Sequence, residues 1–160
     1  MKTCVSVSGR ASENFKKIAK SVALDALEIM GQPSGLEVAI RFVSENEIQR
    51  INREFRGIDK VTDVLSFPAT TTRVGEIFDL KSEEAIFLRQ DDGRVHFGDM
   101  ALCTKRLREQ AKEFGNTAEL ELKKLVIHSI LHLMGYDHIE DEDYAVMNKK
   151  ELELDEKIKI

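Results

Sequence analysis

Apolar residues recur along this 160-residue chain with two different periods, and the switches between them mark out strands and helices. Met1 to Val7 alternates weakly and predicts a first strand. Ser12 is placed as an N-cap and Gly31 as a stop. Between them Phe15, Ile18, Ala19, Val22, Ala26, Ile29 and Met30 share one face of a helix. Gln32-Pro33-Ser34-Gly35 is a turn. Leu36, Val38, Ile40 and Phe42 then alternate with Glu37, Ala39, Arg41 and Val43, which predicts a strand with one wetter face. Ser44 and Glu47 have the spacing of a capping box and open a short helix that buries Ile48, Ile51 and Phe55 and ends at Gly57. Asp63 to Phe67 reads as another strand, stopped by Pro68.

From Ala69 to Arg94 the pattern is irregular, and a long loop holding a hairpin or one helical turn is expected. Asp92-Gly93 is a hairpin-type turn signal. Phe97 to Cys103 is a strand. Thr104 can cap a helix containing Leu107, Ala111 and Phe114, with Gly115 as its stop and Lys105, Arg106, Arg108 and Lys112 on a basic outer face. Asn116 or Thr117 caps the next helix, anchored in the core by Leu120, Leu125, Ile127 and Leu131. Asp141 starts a last helix with Tyr144 and Met147 inward, and the charged end from Glu151 to Ile160 is expected to fray. Strands and helices are mixed and the strands are too few for a barrel. The expectation is an α/β (α+β) fold over one domain, residues 1–160, with a single small mixed sheet flanked by helices.

Composition adds limits. With 42% hydrophobic and 33% charged residues this is the make-up of a soluble globular protein. No run of about 18 apolar residues exists to span a membrane, and the N-terminus does not read as a signal peptide, so a cytoplasmic protein is expected. Cys4 and Cys103 are far apart and predict buried thiols in strands, not a disulfide. The net charge of −5 argues against indiscriminate nucleic-acid binding. Much of that negative charge lies beyond Glu140, however, and Arg50, Arg53, Arg56 and Lys60 gather around one helix end. They form either a solvated face or a patch that meets phosphate.

The strongest chemical signal is His128-Ser129-Ile130-Leu131-His132-Leu133-Met134-Gly135-Tyr136-Asp137-His138. His128 and His132 stand one helical turn apart on one face. Gly135 can stop the helix so that the chain turns back with His138. A lone histidine is usually a satisfied core or surface residue. Three at this spacing form a nitrogen cup for one metal ion, zinc by donor type, with a fourth corner open for water. The order His-x-x-x-His-x-x-Gly-x-x-His is also that of the metzincin proteases. Those carry a glutamate base after the first histidine, and here that position is Ser129. His96 has no spacing that ties it to the triad. Asp137, next to a ligand, is a candidate for orienting an imidazole.

Three segments together resemble the YbeY family of bacterial endoribonucleases, the rRNA maturation factors. They are Ile51-Asn52-Arg53-Glu54-Phe55-Arg56-Gly57 running into Thr62-Asp63-Val64-Leu65-Ser66-Phe67-Pro68, then Phe97-Gly98-Asp99-Met100, and the histidine stretch. The family pattern in the last is His-Gly-x-Leu-His-Leu-x-Gly-Tyr-Asp-His. Ser129 replaces its glycine, and the connection from Pro68 to Gly98 is long for the family. The resemblance implies a metal-dependent hydrolase cleaving single-stranded RNA, with one zinc ion (Zn2+) on His128, His132 and His138 and a functionally important Arg56. It further implies 16S rRNA 3′-end maturation and ribosome quality control, with the ribosome or ribosomal proteins as partners. A zinc metallopeptidase-like hydrolase and a non-catalytic ribosome assembly factor with a structural zinc are the alternatives.

Overall fold

In the computed structural model, which describes residues 1–160, the chain forms four strands and six helices. Strand β1 is Cys4–Gly9, later than the Met1–Val7 alternation suggested, because pairing with its neighbour begins only at Cys4. Helix α1 (Glu13–Ile29) follows, then β2 (Leu36–Val43), α2 (Glu45–Arg56) and β3 (Val64–Pro68). The irregular stretch holds both expected features, a short helix α3 (Glu83–Leu88) and a turn at Asp92-Gly93 that brings Arg89 opposite Val95. Strand β4 (Val95–Cys103), α4 (Thr104–Phe114), α5 (Ala118–Leu133) and α6 (Asp141–Lys157) complete the chain.

The sheet order is β1-β2-β4-β3. β1 and β4 run parallel to β2, and β3 runs antiparallel to β4, so the sheet is mixed as expected. β3 is an edge strand. Alternation sorts side chains to the two faces. Val38, Ile40 and Phe42 of β2 and Met100 and Leu102 of β4 join Phe15, Val22, Leu27, Val126, Ile130 and Leu133 in the main core, which α1 and α5 build. Val43, Leu65, Ala101 and Cys103 point the other way, where α2 covers them with Ile48. Burial of each such Leu, Ile or Phe contributes about 1.5–3 kcal/mol, which makes α5 the best-anchored helix near the ligands.

Several expectations need correction. Phe55 is exposed, because the last turn of α2 overhangs its hydrophobic cluster and finds only the Phe67 ring, edge-on at 5.6 Å. Phe114 and Ile29 also face solvent at helix ends, and Leu120 is half-buried in the first turn of α5. Tyr144 points outward, since α6 reaches the core only from Met147 on. Beyond it the tail does not fray: Leu154 and Ile158 are buried, and buried Lys123 donates to the Asp155 carbonyl at 2.6 Å. Thr104 does not cap α4; Cys103 holds that position with no side-chain bond. Ser44 accepts from the Glu47 N–H at 3.2 Å, but the Glu47 carboxylate turns to Arg50 at 2.7 Å, so only half a capping box forms. Ser12 and Thr117 cap α1 and α5 as expected, and both cysteines are free thiols, Cys103 buried but Cys4 only half-buried.

On the wetter sheet face His96 lies between two carboxylates, Glu37 on β2 and Asp99 at 2.8 Å on its own strand. It stands apart from the other histidines, as expected. Hydrogen bonding to Asp99, reinforced by Glu37 against the cost of burial, raises its pKa to about 9. A folded-state pKa above the unfolded value near 6.5 means that the protonated bridge stabilises the fold fully below pH 6.5. That contribution, on the order of 1–2 kcal/mol after screening, is lost as pH rises towards 9. Thermal melts from pH 6 to 10 are expected to show a loss of stability over that window, and His96→Gln is expected to flatten it.

Candidate metal centre

The site is built at the end of α5. Thr117 Oγ1 accepts from the Leu120 N–H at 3.1 Å and starts the helix. Leu122, Val126, Ile127, Ile130, Leu131 and Leu133 then lock it into the core, leaving half-buried His128 and His132 on its open side. The helix stops in a Schellman motif: Gly135 N–H donates to the His132 carbonyl and Tyr136 N–H to the Leu131 carbonyl, both at 3.0 Å. Gly135 has φ +93°, and a Cβ there would lie 2.3 Å from the Thr72 carbonyl oxygen, so backbone conformation and close approach both demand glycine. Tyr136 is buried and anchors the turn. The chain then doubles back, and Asp137 accepts from the His138 N–H at 2.7 Å.

This turn brings all three histidines together. One ring nitrogen from each of His128, His132 and His138 can be chosen so that all lie within 4.8 Å of one another. The Nε2 atoms of His128 and His132 are 3.0 Å apart. The opposite nitrogens are engaged: His132 Nδ1 lies 2.9 Å from the Tyr136 carbonyl, and His128 Nδ1 lies 3.4 Å from Glu151 Oε1 on α6. With Nδ1 donating in both rings, both Nε2 atoms carry lone pairs that face each other, which is favourable only with positive charge between them. Two nitrogens on one tetrahedral ion at about 2.0–2.1 Å would stand roughly 3.3 Å apart, so the pair fits a shared metal. Burial, with unfavourable interaction with the neighbouring His128 and His138 imidazoles secondary to it, pushes the His132 pKa down to about 4, so its ring is neutral near neutral pH.

The cup opens into a cleft of about 790 Å³. One wall is the turn Gly135–His138, and the other is the free edge of β3 with the end of α2 and the loop after it, including Arg56 and Lys60. The Arg56 guanidinium donates to the Ser66 carbonyl on β3 and stacks over Phe67, 5.0 Å from the ring centroid. Its remaining donors have no carboxylate partner. Ser66 also faces α5, where its hydroxyl meets Ser129 at 2.7 Å. Ser129 is fully buried, so the serine that departs from the family glycine fits by taking a polar partner. It is also unavailable as a base in the cleft.

Asp137 holds the His138 backbone, and no imidazole bond reaches it. The groups that engage the rings are the Tyr136 carbonyl and Glu151. Sequence reasoning missed Glu151, because it lies in the tail expected to fray and no local spacing links it to His128. The regular period of Met147, Leu154 and Ile158 was the signal that this tail is helical.

A sequence model of the family described as Endoribonuclease YbeY matches residues 5–159. An Endoribonuclease YbeY of Clostridium acetobutylicum is 43% identical over 144 residues, covering 89% of this chain and 87% of that one. Another, from Caldicellulosiruptor saccharolyticus, is 37% identical over 139 residues, covering 87% and 84%. Among solved structures, the solution structure of a Thermotoga maritima protein superposes with a TM-score of 0.60 at 31% identity, covering 96% of this chain and 87% of its own.

Proposed function

The chain belongs to the YbeY endoribonuclease family, and from that membership and the site geometry we propose that it is a zinc-dependent endoribonuclease acting on single-stranded RNA. The observation that carries the reading is the convergence of three imidazole nitrogens beside an open polar cleft whose far wall presents Arg56. His128, His132 and His138 hold the ion. Zinc, when bound there, supplies Lewis acidity, bringing the pKa of water towards about 7 and polarising a phosphate oxygen.

The chain's own residues do the rest. Glu151 and the Tyr136 carbonyl fix two imidazoles with Nε2 towards the cleft. Arg56, held by Ser66 and Phe67, meets the scissile phosphate with its free donors and neutralises charge that develops on the phosphorus oxygens. The cleft is open along β3, which suits a flexible single strand. In the proposed setting the substrate is small-subunit rRNA at its 3′ end, the ribosome or its proteins are partners in quality control, and the work is done in the cytoplasm. No helix is long and apolar enough to cross a membrane. A peptidase reading draws no support from Ser129, whose hydroxyl is tied to Ser66.

The test is elemental analysis of the purified protein followed by cleavage of single-stranded RNA with and without chelator. About one zinc per chain is expected, with cleavage lost on chelation and restored by added zinc. Cleavage that persists in metal-free protein would exclude the reading.

A further inference from the structure

Four cations stand around the end of α2 and the loop after it, and their partners divide them. Arg50 is clamped between Glu47 at 2.7 Å and Glu54 at 2.9 Å. Arg53 is paired with Asp59 at 3.2 Å. Arg56 and Lys60 have no salt-bridge partner, and these are the two that line the cleft. Resting on the reading that the cleft takes single-stranded RNA, we infer that Lys60 is a second phosphate contact, binding a backbone phosphate beside the one that Arg56 neutralises.

The loop that carries Lys60 is fixed from below by α2. Asn52, only 5% exposed, donates its side-chain amide to the Lys60 carbonyl at 3.0 Å. Gln49 and Arg53 both hold Asp59, at 3.0 and 3.2 Å. The loop therefore spends Asp59 on Arg53 and leaves Lys60 without an ion-pair partner. With the backbone set before any ligand arrives, binding orders only the lysine side chain, which keeps the entropic cost low. The carboxylates of the cleft form no ion pair with the ammonium and are held by other donors. Asp63 is engaged by Thr62, the Val64 N–H and Gln110, and Asp137 by the His138 N–H. An ammonium is a compact point charge, suited to a phosphate that is held but not cleaved.

The experiment uses the full chain and a fluorescein-labelled 2′-O-methyl oligouridylate, with anisotropy titrations over a salt series. One lost phosphate contact on a single strand lowers the slope of log Kd against log salt by about 0.7. Lys60→Gln is expected to show that reduction, and Lys60→Arg, which keeps the charge, is expected to keep the wild-type slope. Lys60 is exposed and its carbonyl bond to Asn52 is untouched by either change, so both variants fold. A wild-type slope in Lys60→Gln, with salt-dependent binding intact, overturns this inference alone. A wild-type protein that does not bind the oligonucleotide overturns the RNA reading and the inference with it.

Discussion

Replacing His132 with alanine is expected to remove bound metal and RNA cleavage together. Its ring is committed at both ends, with Nδ1 against the Tyr136 carbonyl and Nε2 against His128 Nε2. Alanine therefore takes away one of the three proposed ligands and also a bond that ties the helix end to the returning turn. Glu151→Gln provides the comparison. It leaves all three imidazoles and changes only the group behind His128, which costs roughly 10–100-fold in metal affinity and is recoverable with excess zinc. His132→Ala should lose more than that and should not recover. Zinc content, circular dichroism and cleavage on the same preparations separate loss of the ion from loss of the fold. The idea fails if a folded variant lacking all three histidines cleaves RNA as the native chain does.

Arg56→Ala is expected to do the opposite: keep the ion and lose the chemistry. Arg56 makes no contact with a ligand histidine, so zinc content should match that of the native chain. Removing one preorganised charge-stabilising donor from an active site costs about 10²–10³ in kcat. Lysine should rescue little, because an ammonium cannot hold the Ser66 carbonyl and stack on Phe67 while also gripping phosphate as a guanidinium does. Native rates in folded Arg56→Ala would remove Arg56 from the proposed chemistry.

Local patterns reached most of this fold and the centre of its site. Helical spacing placed His128 and His132 on one face, and the glycine stop at Gly135 foretold the bend that returns His138, because both depend on contacts within a few residues. The alternation in β2 announced a strand of the sheet for the same reason. What stayed hidden depends on distant partners. Glu151 reaches His128 across 23 positions, and Ser66 reaches Ser129 across 63. The basic cluster around α2 could not be divided from composition alone, since Arg50 and Arg53 differ from Arg56 and Lys60 only in which carboxylates surround them. Phe55 and Tyr144 misled because a helix end can carry an apolar residue past the surface that would cover it.

The close fit of Gly135 under the Thr72 carbonyl gives the long connection after β3 a second meaning. It serves as a backstop for the bend, so the two segments form a matched pair, like a latch and its strike plate. Shortening the connection, or grafting another protein's bend into this scaffold alone, would leave the returning histidine without its rest. Any redesign of this enzyme has to move both parts at once.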